Sequence, residues 1–337
     1  MTKTSVVILN WNGEQFLRHF LPAVVKNTAD SETEIVVADN GSADGSLAYV
    51  ESAFPQVRVV KFDQNYGFTG GYNRAIAQVN STYAVLLNSD VDVPQGWLAP
   101  LIAHMDSNPD VGACMPKIRS FAKPAEFEYA GAAGGFIDVL GYPFCRGRML
   151  STIERDCGQY NDTRNIFWAT GACMVVRTAL FKELGGLDDD FFAHMEEIDL
   201  CWRMQNAGYK VAYVGGSEVF HVGGGTLPNN NPRKLFYNYR NNLLMLHKNL
   251  PRGLHSAVIT FRILLDWASA LMFLLQLKLS YAAAILKAHV DFLKLKKGKR
   301  NKRKLLKMRN LQGVYRGSML AGYFLLGKRT FGKLRSV

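Results

Sequence analysis

The chain has 337 residues, 48% hydrophobic and 20% charged, which excludes a disordered, collagenous or disulfide-stapled protein. That length can bury the core of one large α/β domain with an appendage, or of two modest domains, without help from metal or disulfides. The net charge of +12 invites a nucleic-acid reading, yet residues 287–337 hold 16 of the 40 Lys and Arg and a single acid, Asp291, so the basic character belongs to the tail. Five cysteines (Cys114, Cys145, Cys157, Cys173, Cys201), none in a CxxC pair, argue against a disulfide framework or structural zinc and fit a reducing cytoplasm.

The opening MTKTSVVILN runs at once into a polar turn from Asn10 to Gln15, and reads as a first strand rather than a signal peptide. β-Branched runs then alternate with helix-length segments. Strands are expected at 5–9, 34–38, 57–62 and 83–87, with helices near 14–27, 46–53 and 71–79. Fully apolar strands in that alternation predict a mostly parallel central sheet flanked by helices. In such sheets ligands bind beyond the carboxyl ends of the strands. Those ends carry Asn10-Trp11-Asn12, Asp39-Asn40-Gly41-Ser42, Asn65-Tyr66-Gly67 and Asn88-Ser89-Asp90-Val91-Asp92.

Residues 112–186 are rich in glycine and aromatics with weak periodicity, and read as the irregular half of the same domain, walling a second substrate. A helix follows with Glu196, Glu197 and Asp199 in its first turn, where the helix dipole favours acids. A strand at 210–214 and an apolar segment ending in His221 lead into the loop Gly223-Gly224-Gly225. A boundary is expected at 250/251, separating a catalytic domain from a helical, basic region 251–337. Residues 255–286 are apolar but broken by Arg262, Asp266 and Lys278, so their longest uncharged piece, 267–277, falls short of the about 20 residues a bilayer span needs. With the polybasic run from Lys294 to Lys307 and a second apolar patch at 317–327, the region reads as a surface-lying or re-entrant membrane anchor on an anionic leaflet. The alternative is a helical pair packed on the catalytic domain with a solvated basic face. RNA binding ranks third, because no aromatics are interleaved with the basic run.

Asp90-Val91-Asp92 places two carboxylates at alternate positions past a buried strand, able to supply oxygen ligands to Mg²⁺ or Mn²⁺. Alone, the pattern also suits a solvated turn before Pro94. Asp39 can hold a ribose or nucleobase while Asp44 or Ser46 caps the next helix. The glycine-rich loop from Gly67 to Asn73 suits close approach by phosphates. Glu196, Glu197 and Asp199 repel one another, which raises at least one pKa and suits a general base. His221 could join the metal site, and a nitrogen ligand would tilt it towards Mn²⁺.

Taken in order, VVILNWNG, EIVVADNGSADGS, NYGFTGGYNRA, VLLNSDVDVP, ATGACMVVR, GGLDDDFFAHMEEIDLCWR and FHVGGGT resemble the family 2 glycosyltransferases of GT-A fold over about residues 3–245. The likeness is strongest to the branch that adds rhamnose and similar sugars to bacterial surface polysaccharides. The resemblance implies an inverting reaction, a dTDP-, UDP- or GDP-sugar donor, a divalent cation and a saccharide or polyprenyl-diphosphate-linked acceptor. It implies that Asn10, Trp11 and Asn12 line the nucleoside pocket and that Asp39 holds base or ribose. Asn65, Gly67, Gly71 and Asn73 would lie near ribose and diphosphate, and Thr170 and Gly171 near donor sugar and acceptor. Asp90, Asp92 and His221 would form the metal site, and Glu197 would be the base. The chain departs from the family in having Glu196-Glu197 where relatives carry Glu-Asp, which leaves the choice between the two glutamates open. The enzyme is expected in the cytoplasm, on the inner face of the cell membrane. Two rivals remain: a nicotinamide oxidoreductase, which lacks its GxGxxG after the first strand here, and a non-catalytic nucleotide-sugar-binding subunit of an assembly complex.

Overall fold

The computed structural model describes residues 2–28, 30–223, 231–301 and 305–334. Gly224, Gly225 and the tail residues Lys302, Arg303 and Lys304 lie outside the described residues.

The first third is a parallel α/β unit. Its order is β1 (Thr4–Asn10), α1 (Glu14–Thr28), β2 (Thr33–Asp39), α2 (Ser46–Ala53), β3 (Arg58–Lys61), α3 (Gly67–Ala77) and β4 (Tyr83–Asn88). β1 and β4 are apolar and buried on both faces, as central strands covered by helices must be. The register sets Asn10 beside Asp39 and Leu9 beside Asn88, so the polar strand ends fall on one edge. α3 begins four residues earlier than the periodicity predicts, because Gly67 adopts φ +71, which few side chains tolerate, and there it meets the Phe192 ring.

The chain continues through β5 (Val91–Asp92), α4 (Ala99–Ser107) and β6 (Val111–Ser120). A small sheet follows, β7 (Gly135–Asp138), β8 (Pro143–Cys145), β9 (Arg148–Met149) and β10 (Thr152–Ile153), then β11 (Thr163–Ile166), β12 (Cys173–Arg177) and α5 (Thr178–Glu183). α6 (Glu196–Asn206) and β13 (Lys210–His221) complete the central sheet, ordered β11-β13-β6-β12-β4-β1-β2-β3 with β5 on β13. The sheet is parallel from β4 to β3, but β12 runs antiparallel to both neighbours, so it is mixed in its second half. The strand expected at 210–214 and the segment ending in His221 are one strand. A bulge at 215–217 inserts three extra residues opposite β6 and redirects its end.

α7 (Pro232–Asn249), α8 (Arg252–Leu275) and α9 (Leu279–Leu295) form a helical layer, and β14 (Val314–Tyr315) and α10 (Met319–Phe324) end the chain. The boundary expected at 250/251 is crossed by this last stretch. β14 pairs with β7, the Gln312 amide donates to the Gln205 side chain at 2.8 Å, and the Phe331 ring packs 4.7 Å from that of Phe136.

The α8–α9 hairpin is inverted in character. Its charged residues Arg262 and Asp266 point inward, Arg262 to the Leu140 carbonyl at 3.0 Å and Asp266 to His289 at 3.1 Å. Leu264, Trp267, Leu271 and Leu275 point outward, and Leu277 at the apex is 85% exposed. α8, at 24 residues, is long and apolar enough to cross a membrane by length and composition, and Arg262 and Asp266, which interrupt its sequence, lie on its buried face.

Candidate active site

Four strand ends build the cleft. On the first, Asn10 is buried and its amide donates to Asp39 (3.0 Å), Ser42 (3.1 Å) and Ser46 (2.9 Å). Asp39, also buried, accepts the Ser42 amide at 3.0 Å. Asn12, at φ +48, accepts the Ala43 amide at 2.8 Å, which ties the two loops together. Trp11 between them is half exposed and presents an open indole face. Asn10 and Asn12 therefore shape this pocket by fixing its loops, and Trp11 is the side chain that faces solvent.

Asn65 accepts from the Gly67 amide at 2.8 Å and from Asn40 at 3.0 Å. Two expected residues are engaged elsewhere. A Cβ on Gly71 would strike Leu9 at 2.6 Å, so this glycine lets α3 press onto β1. Asn73 donates to the Leu187 carbonyl at 2.7 Å and accepts the Leu187 amide at 2.8 Å, stapling α3 to the loop before α6.

Asp90 precedes β5 and Asp92 ends it, and pairing of β5 with β13 sets Asp92 opposite Phe220 and Val91 opposite His221. His221 Nε2 lies 3.1 Å from Asp90, and its Nδ1 3.7 Å from Glu128. Burial pulls the imidazole pKa down, but its hydrogen bond to Asp90 and the nearby Glu128 carboxylate override it and push it up to about 10. Asp92 is partly exposed and has no hydrogen bond or ion pair among the described residues. Two carboxylates and, once it gives up its proton, an imidazole are the hard and borderline donors that Mn²⁺ or Mg²⁺ accept, so the donor set fits such a cation. Among the described residues no group of three or more His, Cys, Asp or Glu converges as a ready cage. Glu128, in a stretch without periodicity, gave no sequence signal.

Asn88 leads on to the third wall, since its amide donates to the Ala172 carbonyl at 3.0 Å, beside Thr170 and Gly171. Thr170 packs against Gly131, and Gly171 against Phe68 at the start of α3. The Ala169 amide reaches the Cys201 sulfur at 3.5 Å, and Cys201 lies one turn after Glu197 on the same face of α6. The segment 169–172 thus contacts both the end of β4 and the helix that carries Glu197.

The three acids of α6 differ. Asp199 is fully buried and bound by Arg203 (2.7 Å), Lys248 (2.9 Å) and Asn249 (2.7 Å). Burial alone would raise its pKa, but Lys248 and Arg203 hold it below the usual carboxylate range. Asp199 is an anchor for α6 and is not offered to a substrate, which removes it from the expected catalytic set. Glu196 and Glu197 each keep a buried carboxylate oxygen with no hydrogen-bond partner among the described residues. Burial pushes Glu197 up to about 7, and burial with the adjacent Glu197 charge pushes Glu196 well above that of an ordinary glutamate. A carboxylate poised near neutrality beside a cleft can accept a proton from a hydroxyl.

The glycosyl transferase family 2 profile matches residues 5–185. The chain belongs to this family. An N-acetylglucosaminyl-diphospho-decaprenol L-rhamnosyltransferase of Mycobacterium tuberculosis is 30% identical over 234 residues, covering 64% of this chain and 75% of that protein. Rhamnosyltransferase WbbL of Escherichia coli is 24% identical, covering 64% of this chain and 82% of that protein. Among solved structures, residues 1–349 of S. aureus TarS superpose with a TM-score of 0.58 at 16% identity, over 87% of this chain and 80% of that one. GalNAc-T7 with UDP, GalNAc and Mn²⁺ superposes with a TM-score of 0.58 at 17% identity, over 75% of this chain and 49% of that one. The fold of this glycosyltransferase is GT-A.

Proposed function

We propose that this family 2 enzyme is an inverting, metal-dependent glycosyltransferase that moves a sugar, by preference rhamnose from dTDP-rhamnose, onto a polyprenyl-diphosphate-linked saccharide in cell-surface polysaccharide assembly. The observations that support it are two unlike groups of polar side chains, each on an element that contacts residues 169–172. One holds Asp90, Asp92 and His221, and the other holds Glu197 with a raised pKa.

In this reading Trp11 stacks on the nucleobase and Asp39, oriented by Asn10, meets the base or ribose. Glu197 takes the proton of the acceptor hydroxyl as its oxygen bonds to the anomeric carbon from the face opposite the leaving group. The bond to the donor diphosphate breaks, inverting the centre. A divalent cation at Asp90, Asp92 and His221 would supply charge neutralisation for the departing diphosphate.

A lipid-linked acceptor places the enzyme at the cytoplasmic membrane surface. The inverted hairpin supports this, because its exposed face is largely apolar and its exposed charges, among them Lys278, Lys287 and Lys294, are cationic. Its two acids are withheld, Asp266 by burial and Asp291 by a 3.0 Å pair with Arg240. The hairpin lies in the plane of the leaflet, since the inward face of α8 is bound to the protein through Ile259, Arg262, Asp266 and Ala270.

The test is nucleoside diphosphate release from a panel of dTDP-, UDP- and GDP-sugars with Mn²⁺, Mg²⁺ or EDTA, with detergent-solubilised lipid-linked acceptor. Metal-dependent release from one donor, lost in Asp92→Ala and Glu197→Gln, is expected. Nucleotide binding without turnover across the panel would refute catalysis and favour a binding subunit.

A further inference from the structure

The turn that delivers α6 into the cleft has an unusual backbone. Phe192, His194 and Met195 have φ of 63, 71 and 75, a left-handed run that side chains of this size avoid unless neighbours impose it. The neighbours that impose it are consecutive residues of α7. The Asn241 amide donates to three main-chain carbonyls, Phe191 (2.9 Å), Ala193 (2.8 Å) and His194 (2.7 Å). Arg240 donates to the carbonyls of Asp190 (2.7 Å) and Phe191 (3.0 Å). The Arg240 guanidinium is itself fixed by the Asn241 side-chain oxygen at 2.8 Å and by Asp291 of α9 at 3.0 Å. Both side chains are buried. On its other side the turn meets the donor wall, where the Phe192 carbonyl accepts the Phe68 amide at 3.2 Å and the Phe192 ring covers Gly67.

We infer that Arg240 and Asn241 form a positioning clamp for the catalytic base. They hold residues 190–195 in a conformation the chain does not favour, and so fix where Glu196 and Glu197 enter the cleft. Neither touches the glutamates, so they act through the backbone. The inference rests on the reading of Glu197 as base.

The experiment compares Asn241→Ala and Arg240→Lys with wild type and with Leu244→Ala, a fully buried residue of the same helix whose apolar side chain cannot hydrogen-bond the turn. Hydrogen exchange of amides 191–197, kcat and donor KM for dTDP release from dTDP-rhamnose, dTDP binding and the thermal midpoint are measured on each. Exchange at least tenfold faster in the turn, with kcat reduced at least thirtyfold, donor KM and dTDP affinity within threefold, and no such split in Leu244→Ala, is expected. Arg240→Lys, which keeps the charge facing Asp291 but loses the fork, should show the same pattern more weakly, and decides the matter if Asn241→Ala does not fold. Unchanged exchange overturns the clamp. Faster exchange with unchanged kcat, or losses that follow the thermal midpoint as in Leu244→Ala, overturns positioning. If Glu196→Gln and Glu197→Gln both retain kcat, the base assignment fails, and the exchange result still decides the clamp.

Discussion

The Glu196-Glu197 pair yields a prediction that separates its two members. Both are raised by burial, Glu197 up to about 7 and Glu196 well above an ordinary glutamate, and Glu196 is raised further by the Glu197 charge beside it. A charge on Glu197 therefore opposes ionisation of Glu196. A base of pKa about 7 is about 9% ionised at pH 6 and about 91% at pH 8, so kcat should rise about tenfold across that interval. Glutamine mimics a protonated glutamate in size and charge. Glu196→Gln should thus keep kcat within about threefold and leave the acid limb near pH 7, whereas Glu197→Gln should lose about 10²–10⁴-fold. The assay is dTDP release under saturating donor and acceptor from pH 5.5 to 9, with single-turnover measurements to show that chemistry limits the rate. A profile flat between pH 6 and 8, or loss in Glu196→Gln with retention in Glu197→Gln, would refute the assignment. Stability carries the same sign: a carboxyl raised in the fold binds more protons there than in the unfolded chain, so its contribution declines as pH rises from about 4.5 towards the folded value. Glu196→Gln removes that decline, and its thermal midpoint should gain on wild type as pH increases through this window.

Lys248→Met removes a cation buried against Asp188 (2.6 Å) and Asp199 (2.9 Å) and should cost about 3–5 kcal/mol, seen in urea titration at pH 7; a loss below about 1 kcal/mol would show that Arg203 and Asn249 suffice. Because the Asp199 pKa is depressed, its stabilisation is present above the unfolded value near 3.9 and disappears as pH falls through the folded one. Leu271→Glu with Leu275→Glu on the exposed hairpin face should remove about 3 kcal/mol of apolar insertion, about a hundredfold in partition to anionic vesicles, at unchanged thermal midpoint; equal sedimentation with vesicles would exclude this face. Gly67→Ala, at φ +71 and with its added Cβ 2.8 Å from the Phe192 ring, should lower both stability and donor affinity; wild-type values for both would show that the ring yields freely.

What was legible in the sequence follows from the range of the forces involved. β1, β2 and β4 could be placed because burial on both faces demands continuous apolar runs, and their polar ends located the cleft. β13 was split in two because Gly215 and Gly216 look like a chain break, when they form a bulge that only the pairing with β6 reveals. The small sheet has strands of two to four residues and is completed by β14 from the far end of the chain, a pairing that no local window contains. Residue type singles out Asn73, Gly71 and Asp199 but does not show their tertiary contacts. Each is spent on a tertiary contact, to Leu187, Leu9 and Lys248, whose partner lies far off in sequence or on another element.

The C-terminal region shows the same limit in a sharper form. Counting uncharged residues along 255–286 returns a short segment, because Arg262 and Asp266 interrupt it. Those two are four apart, one helical turn, and so share a face. That face is turned to Leu140 and His289, which leaves the opposite face of α8 apolar from Phe261 to Leu275. The quantity that governs affinity for a bilayer is the area of one face rather than the length of an unbroken run. The charges that break the linear pattern are therefore the ones that seat the hairpin on the enzyme and turn its apolar side outward.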